Sequence, residues 1–135
     1  MAAQNGVRVP VIMYHAVMDD TSRLGKYVIS PEELESDFKW LSENGYTAVL
    51  SEDLINYTEN GAALPEKPIL LTFDDGYYNN YLYAYPTAKR YGMKFVLSPI
   101  GKYADLYTET PDKSPYYAHC TWDMLREMQS CEPHV

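Results

Sequence analysis

The chain has 135 residues, of which 46% are hydrophobic and 22% are charged, and its formal net charge is −8. This composition is typical of a globular protein and argues against intrinsic disorder. The acidic balance, without a basic patch, argues against nucleic acid or an anionic membrane as a partner. The sequence has no apolar run near the roughly 18 residues that cross a membrane, and its first residues show no signal peptide.

The first part of the chain is predicted to run from a strand through a loop into a helix. Residues 7–15 are rich in β-branched side chains, which favours a strand, and the polar residues 19–27 predict a loop. Ser30 is a typical helix N-cap, with Pro31 at the first helical position and Glu33 placed for a capping box. We therefore expect a helix to begin at Ser30.

The middle of the chain continues the alternation of helix and strand. An Asn-Gly pair at 44–45 is expected to end the first helix, and a second strand is predicted over 46–50. A short helix over 51–60 and a turn at 65–68 follow. Residues 69–73 (ILLTF) are apolar throughout, as expected of a strand covered on both faces.

The last part is predicted to hold two more helices and one more strand. A helix is expected over 80–91, where Pro86 either introduces a kink or delays the start. The remaining predicted elements are a strand over 94–100, a long loop over 101–118 and a final helix over 122–128.

Strands that alternate with helices in this order predict an α/β fold with parallel strands and right-handed crossovers. Four strands do not close a barrel, and the chain stops at residues 134–135, where a fifth strand would be due. The expectation is therefore one domain over 1–135 that is part of a larger barrel, apparently truncated. The uncovered sheet edge could support self-association. A compact, open four-stranded sheet is the alternative.

Two adjacent carboxylates, Asp74 and Asp75, directly follow the apolar strand 69–73. In parallel α/β folds, sites form at the carboxyl ends of the strands. Adjacent carboxylates repel each other unless a cation is present, and a metal would let one bind the ion while the other handles a proton. Gly76 would allow a sharp turn or a close approach to a ligand. The alternative is a simple Asp-Asp-Gly turn that caps the next helix.

Three segments resemble one known family, the polysaccharide deacetylases (the NodB homology domain, carbohydrate esterase family 4). Residues 71–77 (LTFDDGY) resemble its first motif, residues 9–15 (VPVIMYH) resemble its opening strand, and residues 121–128 (TWDMLREM) are similar to a helix that precedes its second motif. The resemblance covers nearly the whole chain and identifies it as the N-terminal portion of such a domain.

The resemblance implies a deformed (β/α) barrel that removes N-acetyl groups from amino-sugar polymers, such as chitin-like chains, peptidoglycan or poly-N-acetylglucosamine. It implies Asp74 as the general base, Asp75 as a ligand of a divalent metal, zinc above all, and a place outside the cell or in its envelope. The family's two other ligands lie in a His-Ser/Thr-x-x-His motif that this sequence lacks. We therefore expect this 135-residue chain to be inactive by itself, with the activity belonging to the full-length protein.

The three histidines do not replace the missing motif. His15 ends the first predicted strand and is expected to line the site, as is Tyr77, which follows the carboxylate pair. The alternative for His15 is a histidine that is hydrogen-bonded at a strand end. His119 is expected at the surface or as a helix cap, and His134 precedes the expected position of the motif.

Two other functions remain open from the residues. A phosphohydrolase of the haloacid dehalogenase type also places an Asp after a buried strand, but it needs a second acidic residue at i+2, where this chain has Gly76. A non-catalytic carbohydrate-binding relative could use tyrosines for stacking on sugars. Because Tyr81, Tyr83 and Tyr85 alternate within a helical pattern, they cannot all lie on one helix face.

Overall fold

The computed structural model describes residues 6–131 of the chain, so that the predictions for His134 and the last residues lie outside the described part. The strands in the described part are β1 Val11–Tyr14, β2 Ala16–Val17, β3 Val28–Ile29, β4 Thr47–Val49, β5 Pro68–Asp75 and β6 Val96–Pro99. The α-helices are α1 Pro31–Glu43, α2 Ser51–Asn60, α3 Tyr85–Tyr91, α4 Gly101–Glu109 and α5 Trp122–Ser130.

The main sheet is built around β5, which pairs in parallel with β1, β4 and β6. Leu70 faces partners in both β1 and β4, and Thr72 faces partners in both β1 and β6. A strand has two edges, so β1 lies on one edge of β5, and β4 and β6 follow each other along the other. The carboxyl ends of β1, β5 and β6 therefore meet at one end of the sheet. The predicted parallel α/β class is confirmed.

The core fills the space between this sheet and its helices. Phe38 of α1 and Phe73 of β5 are fully buried, together with Phe95 just before β6. The ring of Tyr14 stacks on Phe73 at 4.9 Å and meets Phe38 edge-on at 6.2 Å. Burial of a side chain of this size stabilises the fold by about 1.5–3 kcal/mol. This packing holds the ends of β1 and β5 in fixed register.

The first helix begins as the sequence predicts. The Ser30 hydroxyl accepts the Glu33 N–H at 3.1 Å, and Pro31 occupies the first helical turn. The second helix uses a different cap, because the Asp53 carboxylate accepts the N–H of Leu50 at 2.7 Å. Both helices are thus capped at their N-termini.

The predicted helix over 80–91 is two elements. A π-helical turn, Asn80–Ala84, leads directly into α3. The Tyr85 N–H bonds to the carbonyl of Asn80, five residues earlier, and Pro86 lies in the first turn of α3, where its missing N–H costs nothing. Pro86 therefore stands at the start of a late regular helix, one of the two outcomes that the sequence left open.

Two predicted loops contain more structure than expected. Residues 19–27 hold a 3-10 helix, Thr21–Arg23, and lead into a small parallel sheet of β2 and β3. Strands of two residues carry no alternating pattern, so the sequence could not indicate them. The strand predicted over 7–15 also breaks, because β1 ends at Tyr14 and β2 begins at Ala16.

The loop predicted over 101–118 is wrong, because its first half is α4. This helix begins at Gly101, and its N-cap residue Ile100 provides no side-chain cap, so its stability comes from tertiary contacts. Ala104 is buried, and Trp122 of α5 donates to Asp105 at 2.8 Å through its indole and to Thr108 at 3.0 Å through its backbone. Among residues 6–131, no helix has the length and apolar character needed to span a membrane.

Candidate active site

The carboxylate pair lies where the sequence predicts, at the end of β5. Asp74 and Asp75 pair with Ser98 and Pro99 of β6, so both belong to the ladder. Asp75 has a positive φ of 74°, a conformation that Asp tolerates better than most residues but which still costs free energy. Such strain is maintained by the surrounding contacts and is typical of functional positions.

Gly76 follows with φ of 68°, and a Cβ added there would lie 2.8 Å from the Cα of Pro99. Only glycine fits this position, because any side chain would overlap the neighbouring strand. The sequence predicted a sharp turn or a close approach to a ligand. The turn is confirmed, and the close approach is to β6.

His15 comes next to the carboxylate pair because β1 and β5 run in register. Tyr14 pairs with Phe73, so the next residue of each strand reaches the same end of the sheet. The imidazole Nε2 of His15 lies 3.7 Å from the Asp74 carboxylate, and both side chains are partly exposed. An imidazole and a carboxylate therefore face each other at the carboxyl end of the sheet.

An open cleft of about 420 Å³ lies beside these residues, within the size range of small-molecule sites. His15, Asp75 and Tyr77 all line it, so the predicted site-lining residues and the predicted ligand share one cavity. Partial burial and the charge of Asp75 raise the pKa of the Tyr77 phenol, which stays protonated and able to donate. The other lining residues are Ala16, Met18, Tyr27, Val28 and Tyr116.

The prediction for His119 is wrong, because this residue is buried against the carboxylate loop. Its Nδ1 lies 2.8 Å from the carbonyl oxygen of Asp75, and its ring stacks on Tyr77 at 4.8 Å and on Tyr103 at 4.5 Å. A carbonyl only accepts, so His119 Nδ1 carries the proton. The contact joins segments 44 residues apart, which left no local signal in the sequence.

The segment after the carboxylates is tied to the segment before α5. Gly76 accepts from the Cys120 N–H, and the Tyr78 N–H donates to Ala118, each at 2.8 Å. Tyr77 and His119 form the antiparallel bridge between these bonds. Together the contacts hold the strained turn at Asp75, which also pairs with β6.

Two fully buried amides, Asn79 and Asn80, also escaped the sequence analysis. The Asn79 side chain accepts the Val17 N–H and donates to the Pro115 carbonyl, each at 3.0 Å. It thus joins strand β2 and the segment around Pro115 to the segment that follows β5. The available signal was two consecutive amides that follow the Asp-Asp-Gly turn after Tyr77 and Tyr78, in a stretch that otherwise predicts an amphipathic helix.

Tyr78, Tyr81 and Tyr85 do not form a platform for sugars. Tyr78 and Tyr85 are buried, and Tyr81 stacks between them with centroid distances of 6.3 and 5.8 Å. Their rings therefore contribute to the core, and a binding function that depends on this group has no support in the structure.

The described residues do not by themselves fit a catalytic zinc. Such a metal takes about three protein ligands and an open position, and within residues 6–131 no three His, Cys, Asp or Glu side chains come together in a way that could hold an ion. Asp75 lines the cleft as the predicted ligand. Further ligands would have to come from outside the described part.

Comparison with known proteins identifies the class. A model of the polysaccharide deacetylase family matches residues 61–134, which include the carboxylate pair. YxkH of Bacillus subtilis, which bears a polysaccharide deacetylase name, is 37% identical over 95 residues, or 70% of this chain and 33% of YxkH. The poly-β-1,6-N-acetyl-D-glucosamine N-deacetylase of Escherichia coli K12 is 31% identical over 124 residues, or 87% of this chain and 18% of that enzyme.

The fold agrees with the sequence match. A solved structure of a de-N-acetylase from Aggregatibacter actinomycetemcomitans superimposes with a TM-score of 0.74 and 35% identity, over 90% of this chain and 50% of the other. The chain therefore belongs to the polysaccharide deacetylase family. It spans about a third or less of the two curated relatives and half of that structure, in agreement with the expected portion of a barrel domain. The family match leaves no support for the phosphohydrolase alternative.

Proposed function

We propose that the full-length protein hydrolyses the N-acetyl groups of an amino-sugar polymer in a metal-dependent reaction outside the cell or in its envelope. The observation that carries the proposal is that His15 and Asp75 line one cleft, while the imidazole of His15 lies 3.7 Å from the Asp74 carboxylate. The name of the Escherichia coli relative makes poly-β-1,6-N-acetylglucosamine the first polymer to test.

In the proposed reaction, Asp74 is the general base. It takes a proton from the water whose oxygen attacks the acetyl carbonyl carbon, and a positioned base of this kind contributes about 10²–10⁴-fold to the rate. When the carbon–nitrogen bond breaks, the leaving nitrogen needs a proton, and His15, which lines the cleft 3.7 Å from Asp74, is proposed as its donor. The products are acetate and a free amine. Tyr77, whose phenol stays protonated, lines the cleft beside them.

Asp75 is proposed as one ligand of a divalent metal, zinc above all. Its carboxylate is of the type that zinc accepts, and its strained backbone is fixed by bonds on both sides. The described residues supply only this part of a metal site.

The experiment measures amine release from acetylated oligomers by the full-length protein. Asp74→Asn is expected to lower kcat by about 10²-fold or more, whereas Asp53→Asn, which alters a helix-capping carboxylate, is expected to leave it unchanged. A kcat of Asp74→Asn equal to that of the wild type would contradict the proposal. Binding of the oligomer without any amine release by the wild type would favour the non-catalytic alternative.

A further inference from the structure

His15 occupies a joint between two sheets. It follows β1 of the main sheet and precedes β2 of the small sheet, and neither ladder includes it. The N–H of Ala16 bonds to Tyr27 at 3.0 Å, and the N–H of Val17 bonds to the Asn79 side chain at 3.0 Å. The backbone at His15 therefore needs a hydrogen-bond partner outside the two sheets, since strand pairing stops on either side of it.

The side chain of Asn80 is that hydrogen-bond partner. Its side-chain nitrogen donates to the His15 carbonyl at 2.8 Å and to the Asn79 side-chain oxygen at 3.2 Å. The orientation of the amide follows from chemistry, because the opposite orientation would set the Asn80 oxygen against the His15 carbonyl, and two acceptors repel. The residue is fully buried, so water does not compete for this bond.

The backbone conformation at Asn80 is itself unusual. Asn80 opens the π-helical turn Asn80–Ala84, a conformation that is rare and frequent at functional sites. Asn80 is separated from Asp74 by only a few residues of the tied loop that follows β5. One short segment thus carries both Asp74, the proposed base, and Asn80, which bonds to the backbone of His15.

We propose that Asn80 is a positioning residue for His15: its amide fixes the backbone at the joint and so keeps the imidazole facing Asp74. The inference rests on the proposed function, because it takes His15 as a working part of that site. A displacement of about 1 Å at a reacting group costs on the order of 10²-fold in rate. The effect is expected in kcat, because Asn80 is buried and does not line the cleft.

The test is a double-mutant cycle in the full-length protein, with amine release from a poly-β-1,6-N-acetylglucosamine oligomer as the readout. Asn80→Ala is expected to lower kcat by about 10–100-fold with KM changed less than about twofold. Combined with His15→Ala, it is expected to cause no further loss, because its effect acts through His15. Losses that multiply, or a wild-type kcat in Asn80→Ala, would overturn the inference.

Thr72→Val is the matched control. The Thr72 hydroxyl, on β5, donates to the carbonyl of Ile12, on β1, at 3.2 Å. The variant therefore removes a similar bond between a side chain and the backbone of β1 without altering the contacts of His15. It is expected to lower Tm and to keep kcat. Asn80→Asp retains the shape of the side chain, loses the donor and is expected to match Asn80→Ala. Failure of both Asn80 variants to fold would assign the residue to the fold alone and would overturn the inference.

A spectroscopic readout separates this inference from the proposed function. The NMR signals of the His15 imidazole are expected to shift and broaden in Asn80→Ala and to stay in place in Thr72→Val. If the wild type releases no amine but the His15 signals move in this way, the proposed function fails and the positioning role stands. Unchanged His15 signals in Asn80→Ala would overturn the positioning role whatever the activity.

Discussion

The carbonyl oxygen of Asp75 lies 2.8 Å from Nδ1 of His119, so that a residue just before the last helix holds the end of the central strand. The bond acts on a backbone that is already strained, because Asp75 has a φ of 74°. The ring of His119 is fixed in turn by Tyr77 and Tyr103, which stack on it. The geometry of the carboxylate pair therefore depends on a distant part of the chain.

Replacement of His119 by Phe tests this dependence. Phe retains the stacking and removes the donor, which leaves the Asp75 carbonyl without its partner and is expected to cost about 1–3 kcal/mol of unfolding free energy. His119→Asn offers an amide donor near the position of Nδ1 and is expected to lose less. Urea denaturation of the full-length protein measures both, and a near wild-type stability of His119→Phe beside a large loss in His119→Asn would show that stacking alone matters.

Gly76 provides a second test, of the close packing between β5 and β6. Gly76→Ala places a Cβ 2.8 Å from the Cα of Pro99 at a φ of 68°, whereas Gly61→Ala meets nothing within 4 Å at a φ of 69°. The positive φ costs about 1–2 kcal/mol in either variant. Overlap is expected to add about 1–3 kcal/mol at Gly76 only. Denaturation curves that show the same loss for both would contradict the packing argument.

The sequence located the carboxylate pair because its signal is local: an apolar run covered on both faces, then two acidic residues and a glycine at the strand's end. His15 could also be placed, since the parallel order of β1 and β5 brings their carboxyl ends together. The resemblance to the family rested on the same local segments.

The remainder of the site depends on contacts that no local pattern carries. His119 lies 44 residues from its partner Asp75, and Asn80 lies 65 residues from the His15 carbonyl. The helix α4 has no capping side chain and is stabilised by its packing on α5, so propensity alone predicted a loop. Tertiary context decided these elements.

Cys120 predicts an alkaline loss of stability. Burial raises the pKa of its thiol from 9.0 to about 12. Below pH 9 the thiol is protonated in both the folded and the unfolded state, and the full stabilisation is present. Above pH 9 the unfolded state loses the proton first. The free energy of unfolding therefore falls by roughly 1.4 kcal/mol per pH unit until the pKa of the folded state is reached. Cys120→Ala is expected to flatten this decline between pH 9 and 11 in urea denaturation.

The matched control for that experiment is Cys131→Ala, which removes the half-buried thiol. It is expected to retain the alkaline decline of the wild type. If the decline is as steep in Cys120→Ala as in the wild type, other groups cause it, and the buried thiol of Cys120 contributes nothing to the pH dependence.

Zinc binding by the 135-residue chain tests how much of a metal site these residues hold. Within residues 6–131, no three ligand side chains converge, and a single carboxylate binds zinc weakly because the ion prefers about three protein ligands. Calorimetry is therefore expected to show no tight binding, and amine release from an acetylated oligomer is expected to be negligible. Asp75→Ala serves as the control and should give the same trace as the wild type.

The opposite result would be equally informative. Tight zinc binding that Asp75→Ala abolishes would mean that Asp75 recruits a second ligand inside this chain, and His15 is the nearest candidate because both residues line the same cleft. His15→Ala would then weaken binding as well. In that case, the proposed proton donation by His15 would fail, because a histidine nitrogen that binds a metal cannot at the same time donate a proton to the leaving amine.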